Sequence, residues 1–289
     1  MVYELTKEPA LEGPVMVSAL AGWVDAAGVG TGAAGRLADG GEVIASFDPD
    51  LLFDYRSQRP ILDIVDGVMR KTVWPRVLLT HVVVDGRDVV VLTGQEPDLA
   101  WRRFAGGVAD LAARLGVRQL ITFGSVPGPV PHTLPPPVMT TESRPGLLEG
   151  GSTPPDGLLR VPAAAVSIVD QHVAAREIPT VGFFIQVPHY VSGTYPAGLV
   201  ALLRRFSTHL GVDLVLDDVE QEAETHRKTL DEAVAAQPEV QEHIRALEAM
   251  QAQQTVVSGE ELASEIERYL RDKAPGDRRP LEEGDDEPR

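Results

Sequence analysis

Val89-Val-Val-Leu-Thr-Gly-Gln-Glu-Pro-Asp-Leu-Ala-Trp101 is the stretch around which the chain is organised. Its β-branched opening reads as a buried strand, since a strand covered on both faces of a sheet is apolar at successive positions. The run breaks at Gly94, places Glu96 in a turn and resumes at Pro97 as a helix expected to begin near Asp98. A polar loop between the carboxyl end of a strand and the start of a helix is where open α/β sheets hold their ligands. Two other polar stretches look built to meet it: Gly22-Trp-Val-Asp25 and Phe53-Asp-Tyr-Arg-Ser-Gln-Arg-Pro60.

Outward from that stretch the α/β alternation continues. Val15–Leu20 reads as a strand, residues 26–38 as a small-residue helix and Glu42–Phe47 as a second strand. Short links between them imply a parallel pair with a right-handed crossover. Asp85-Gly86 between Arg76–Val84 and Asp88–Thr93 is a hairpin signal. Phe104, Val108, Leu111 and Leu115 are spaced as one helical face, closed by Gly116. Gln119–Phe123 and Thr180–Ile185 are further strands, residues 166–175 and 196–209 further helices. The six prolines between Pro127 and Pro137 exclude helix and central strand, so this segment is expected to cross the strand ends as a rigid loop. The Gly/Pro-rich stretch that follows, to Gly157, reads as mobile. From Asp217 the texture becomes amphipathic helix, with Val240, Ile244, Leu247 and Gln251 on one face; Ser258-Gly-Glu-Glu261 is a capping box for another helix. The expected organisation is an α/β/α domain over 1–216, a helical appendage over 217–273 and a disordered acidic tail over 274–289.

With 289 residues and 43% hydrophobic content the chain can bury a large core. No run approaches the ~18 apolar residues of a membrane span. The opening Met1-Val-Tyr-Glu-Leu-Thr-Lys7 has no basic segment followed by an apolar one, so neither a signal peptide nor a membrane partner is expected. The chain has no cysteine, which excludes disulfides, thiolate zinc sites and cysteine nucleophiles, and a cytoplasmic location is expected. The net charge of -17 is concentrated: residues 1–216 balance at -5 and residues 217–289 at -12. Acidic surfaces repel phosphate backbones, so nucleic acid is not an expected partner.

Gly30-Thr-Gly-Ala-Ala-Gly35 matches the dinucleotide fingerprint in letters only, because it opens ten positions beyond the strand end at Leu20. Small residues that let a helix approach the sheet are the better account. The seven histidines form no metal-binding spacing, so no metal or cofactor is expected. Ser125 lacks the glycine two positions earlier that a nucleophile elbow requires. What remains is a polar set at strand ends: Trp23, Asp25, Asp54, Arg56, Arg59, Glu96, His132 and His189. Carboxylates beside arginines could orient a small anionic or hydroxylated ligand. Equally, Asp54 or Glu96 could pair with Arg56 or Arg59 to pin the loops. Trp23, Tyr55 and Trp101 are expected to pack rather than to stack on a ligand.

At Gly22-Trp-Val-Asp-Ala26, Phe53–Pro60, Gly94-Gln-Glu-Pro97 with Trp101, and His189-Tyr190, the chain resembles the proteasome assembly chaperone 2 family, in its bacterial, actinobacterial-type branch. The resemblance implies a three-layer α/β/α sandwich, similar to the phosphorylase/hydrolase-like fold, with a helical C-terminal appendage. It also implies self-association, as a trimer. Two departures matter: the hydrophobic-Tyr-any ending of the chaperone type is missing from Asp286-Glu-Pro-Arg289, and Leu134 stands where an arginine is expected after His132-Thr133. The leading expectation is a self-assembling, chaperone-like protein that works by protein–protein interaction, with 217–273 as a possible partner surface. The alternative is a phosphorylase/hydrolase-type enzyme, or a small-ligand sensor, using the crevice at the strand ends.

Overall fold

The computed structural model describes residues 2–148 and 158–252. The central feature is an eight-stranded sheet built on four parallel strands: β7 (Arg87–Gln95), β2 (Val15–Ala21), β8 (Gln119–Gly128) and β10 (Thr180–Pro188). Antiparallel strands complete it on both sides. Beyond β7 lie β6 (Val77–Val84), β3 (Glu42–Phe47) and β1 (Tyr3–Leu5); beyond β10 lies β9 (Val138–Glu142).

Alternation along the strands sorts side chains into two cores. Met16, Leu20, Val90 and Leu92 face α3 (Trp101–Arg114) and α4 (Ala165–Ala174), whereas Val17, Ala19, Val89 and Val91 face α1 (Val29–Ala38) and α5 (Pro196–Leu210); α2 (Pro49–Leu52) is a single turn after β3. The result is an α/β/α sandwich. Its central strands are apolar throughout because each has a helical layer on either side.

The Asp85-Gly86 turn forms as expected, both residues taking positive φ (47° and 76°), and Val84 pairs with Arg87 across it. Its consequence corrects one expectation. β2 and β3 point the same way but are not neighbours, because the β6–β7 hairpin occupies the two places between them. Pro127 is tolerated within β8 because pairing with β2 stops at Thr122, which leaves that edge of the strand end without a continuous ladder. The helix after Glu96 begins at Trp101, not near Asp98, since Ala100 takes a left-handed conformation (φ 56°) ahead of it.

A second hairpin, not expected from the sequence, consists of β4 (Ile61–Val65) and β5 (Val68–Val73), turned at Asp66-Gly67 with the same positive φ pair. Among the described residues it joins no other strand, and every strand residue in it is exposed. Beyond α5, helix α6 (Asp217–Ala235) and a helix over 238–252 lie against the α/β layers. Ile244 and Leu247 are buried, as their spacing requires. The capping box at Ser258, the tail from 274 and most of the Gly/Pro stretch before Gly157 lie outside the described residues. Among the described residues no helix is long and apolar enough to cross a membrane.

Candidate functional site

The carboxyl ends of the four parallel strands open on one edge of the sheet, and the candidate residues gather there in two separate networks. The first centres on Glu96. Its Oε2 accepts from the Trp23 backbone N–H at 3.0 Å and its Oε1 from that of Ala165 at 2.7 Å. Its own N–H donates to the Ala21 carbonyl at 2.9 Å, and its carbonyl accepts from Gln58 Nε2 at 2.9 Å. Ala165 is the first residue of α4, whose N-cap, Ala164, supplies no side-chain acceptor. Glu96 therefore caps α4 from a distance, its charge facing the positive end of the helix. Gly22 has to be glycine for this contact: an added Cβ would fall 2.4 Å from Glu96 Oε2.

The 53–60 loop is held by the same kind of bond. Asp98 Oδ2 accepts from the Asp54 N–H at 3.0 Å, and Asp54 Oδ1 from the Arg56 N–H at 2.9 Å. The ion-pair alternative is not realised: among the described residues, neither Arg56 nor Arg59 pairs with Asp54 or Glu96. Backbone amides take the carboxylate oxygens instead, one of them local (Arg56 N–H to Asp54) and the others brought in by the fold from Trp23, Asp54 and Ala165. Both arginines are exposed. So is Trp23, at 66%, which corrects the expectation that it packs; Tyr55 and Trp101 do pack, Tyr55 edge-on to Trp74.

Asp25 is structural in its bonding. It accepts from Thr31 N–H at 3.1 Å and Thr31 Oγ1 at 2.5 Å, holding the turn into α1. Gly30 in that turn approaches Gly124 so closely that an added Cβ would lie 3.0 Å from its Cα. The small residues of the fingerprint-like stretch thus serve helix–sheet packing here. Ser125 donates to the Ala26 carbonyl at 2.7 Å, a loop-holding role.

The second network lies under the C-terminal helices. Tyr190 Oη accepts from the His132 backbone N–H at 2.7 Å and stands 2.8 Å from His132 Nδ1. Nε2 lies 3.3 Å from Asp231 Oδ1 on α6, a carboxylate oxygen that can only accept, so Nε2 carries a hydrogen toward it; in the neutral ring Nδ1 then accepts from the Tyr190 hydroxyl. Thr133 donates to Glu248 at 2.5 Å, and the His189 ring lies edge-on to Tyr190 and His243. Burial pushes the Tyr190 hydroxyl up to about 12. Tyr195 is also buried, its titration raised by burial, and its hydroxyl has no hydrogen-bond partner among the described residues. Among those residues, no three of His, Asp and Glu converge to hold a metal ion.

A third polar group was not anticipated. Asp170 on α4 accepts from Thr122 Oγ1 at 2.5 Å, and Thr122 in turn lies 2.8 Å from Ser18 Oγ. Although the residue keeps some exposure, burial pushes its carboxyl up to about 7, against the lowering effect of the Thr122 hydroxyl. The signal lay in its position: Asp170 follows Val166 by four and precedes Val173 by three, which puts a carboxyl on the buried side of the helix.

Residues 19–234 match the model of the PAC2 family. The chain belongs to the PAC2 family. Solved relatives include a Mycobacterium tuberculosis protein of unknown function, Rv2714, 34% identical with a TM-score of 0.79 over 87% of this chain and 91% of that one. A PAC2 family protein from Streptomyces avermitilis is 32% identical with a TM-score of 0.71, over 80% and 99% of the two chains. A Mycobacterium tuberculosis proteasome-assembly chaperone homologue, Rv2125, is 30% identical with a TM-score of 0.74, again over 80% and 99%. Both bacteria are actinobacteria, the branch expected from the motifs. No curated protein sequence matches.

Proposed function

We propose that this PAC2 family protein is a self-assembling, chaperone-like protein that works through protein–protein contacts at the strand-end face. The observation that carries this reading is the β4–β5 hairpin. An isolated two-stranded hairpin is marginal in water, yet this one presents Ile61, Ile64 and Met69 to solvent, Met69 at 72% exposure. An apolar patch of this kind marks an interaction surface. A second copy is the first expected occupant, giving the trimer that the resemblance implies. The family relationship to a proteasome-assembly chaperone homologue supports chaperone-like work, and the acidic sequence of residues 217–273 is the segment we assign to a further protein partner. A cytoplasmic setting fits a chain without cysteine.

Light scattering coupled to size exclusion tests the reading on wild type and on Ile64→Lys/Met69→Lys. Wild type should form a discrete oligomer and the double variant a folded monomer, because both side chains are exposed and their loss costs the fold little. A monomeric wild type, or an unchanged oligomer in the variant, would refute it. One observation favours a sensor reading, the buried Tyr195 hydroxyl beside the His132–Tyr190 pair, which has no hydrogen-bond partner among the described residues. A small mass that travels with the native protein and is lost in Tyr195→Phe would favour it.

A further inference from the structure

Around Glu96 the carboxylates and the guanidiniums have separated. Asp54, Glu96 and Asp98 turn inward and spend their oxygens on backbone amides. Arg56, Arg59, Arg76, Arg102 and Arg103 turn outward: all five are exposed, and none makes an ion pair among the described residues. They stand on adjoining elements. Arg56 and Arg59 lie on the loop that Asp98 and the Glu96 carbonyl hold. The Arg76 carbonyl accepts from Gln95 N–H at 3.2 Å, and Arg102 and Arg103 occupy the first turn of α3. Outside the β4–β5 hairpin, residues 53–60, 74–76 and 96–103 together carry five basic and three acidic side chains in a chain whose net charge is -17. The excess cation is therefore local.

Exposed Trp23, whose N–H meets Glu96, exposed Trp74, packed on Tyr55, and half-exposed Leu99 stand on the same loops. Tryptophan and arginine around a desolvatable apolar centre are the residue types that dominate binding energy in protein interfaces. A nucleic-acid duplex would meet the same cations, but it would also meet the field of a strongly acidic chain, and its backbone gains nothing from the apolar side chains. A short acidic peptide that carries apolar side chains satisfies both features.

Resting on the protein-interaction reading above, we propose that the row Arg56, Arg59, Arg76, Arg102 and Arg103 receives an acidic, apolar-bearing segment of a partner polypeptide, docked against Trp23 and Trp74. The row lies on different elements from the β4–β5 strands, so a second copy seated on the hairpin and an acidic segment on the arginines are separable events.

The test is fluorescence anisotropy on the full chain with three labelled probes: a peptide of alternating glutamate and leucine, its glutamine counterpart, and a single-stranded DNA oligonucleotide. The acidic peptide should bind, weaken steeply with salt, and weaken about tenfold in Arg56→Gln/Arg59→Gln/Arg102→Gln, the summed loss of three screened charge contacts. The glutamine peptide should not bind. No binding of the acidic peptide, equal binding by the triple variant, or tighter binding of the oligonucleotide would each overturn the proposal. The hairpin variant Ile64→Lys/Met69→Lys should retain peptide binding. If it binds peptide and the wild type proves monomeric, self-assembly fails and the arginine site stands; if wild type assembles and binds no peptide, the reverse holds.

Discussion

Asp170→Asn should stabilise the protein at neutral and higher pH, which is an unusual outcome for removing a charge that accepts a hydrogen bond. The carboxyl titrates near 7 in the folded chain against an ordinary 3.8. That gap, at ~1.4 kcal/mol per pH unit, puts the penalty on the charged form at about 4 kcal/mol. This is an upper bound, because Asp170 retains some exposure and water relieves part of the penalty; about 2 kcal/mol is expected. The sign follows from linkage. A folded-state pKa above the unfolded one means that the folded chain holds the proton more tightly, so stability is fullest below 3.8 and declines as pH rises through 7. Asparagine mimics the neutral acid and keeps an acceptor for Thr122 Oγ1. Urea midpoints of wild type and variant should therefore coincide near pH 4 and separate by about 2 kcal/mol at pH 8, with the variant ahead. A difference that does not change with pH, or a variant less stable at pH 8, would refute the reasoning.

Glu96→Gln should cost about 2 kcal/mol, since the new amide group faces an N–H donor where a carboxylate oxygen accepted one; faster amide exchange at Trp23 and Ala165 is the readout, and unchanged exchange at both would show that the cap is dispensable. Gly94→Ala should cost about 3 kcal/mol or prevent folding. Its Cβ would fall 2.1 Å from the Arg76 carbonyl oxygen, in a backbone (φ +153°) that alanine avoids, and a thermal melt decides it. His132→Ala removes the partner of Tyr190 and Asp231, so hydrogen exchange across 217–252 should accelerate while the sheet keeps its protection; equal acceleration in the sheet would mean that His132 holds the body rather than the helices.

Much of this molecule is written in local sequence. The largely apolar runs at Val15–Leu20, Val89–Leu92 and Gln119–Phe123 mark strands covered on both faces. The helix after Glu96 declares its sheet-facing side through Phe104, Val108 and Leu111, and Asp85-Gly86 fixes one hairpin by the positive φ it demands. These signals are legible because they depend on neighbours one to four residues apart. The family motifs mark the same loops, Gly22–Asp25, Phe53–Pro60 and Gly94–Pro97, that converge at the strand ends.

Which strands are neighbours, and where each polar group sends its bonds, depends on contacts between distant parts of the chain. β2 and β3 are parallel yet two places apart, because adjacency depends on which strand fills the slot beside β2, and β7 does so from some seventy residues later in the chain. Asp54 and Glu96 bond to backbone amides rather than to Arg56 and Arg59, a choice between competing donors that geometry alone settles. His132 and His189 part company from Glu96 because α6 and the helix over 238–252 draw them beneath a separate cover. Asp170 reads as one acid on a helix until Thr122 and Ser18, on two other elements, close around it. Residue type sets what a side chain can do; the fold sets what it is next to, and a titration or a docking face belongs to that second kind of fact.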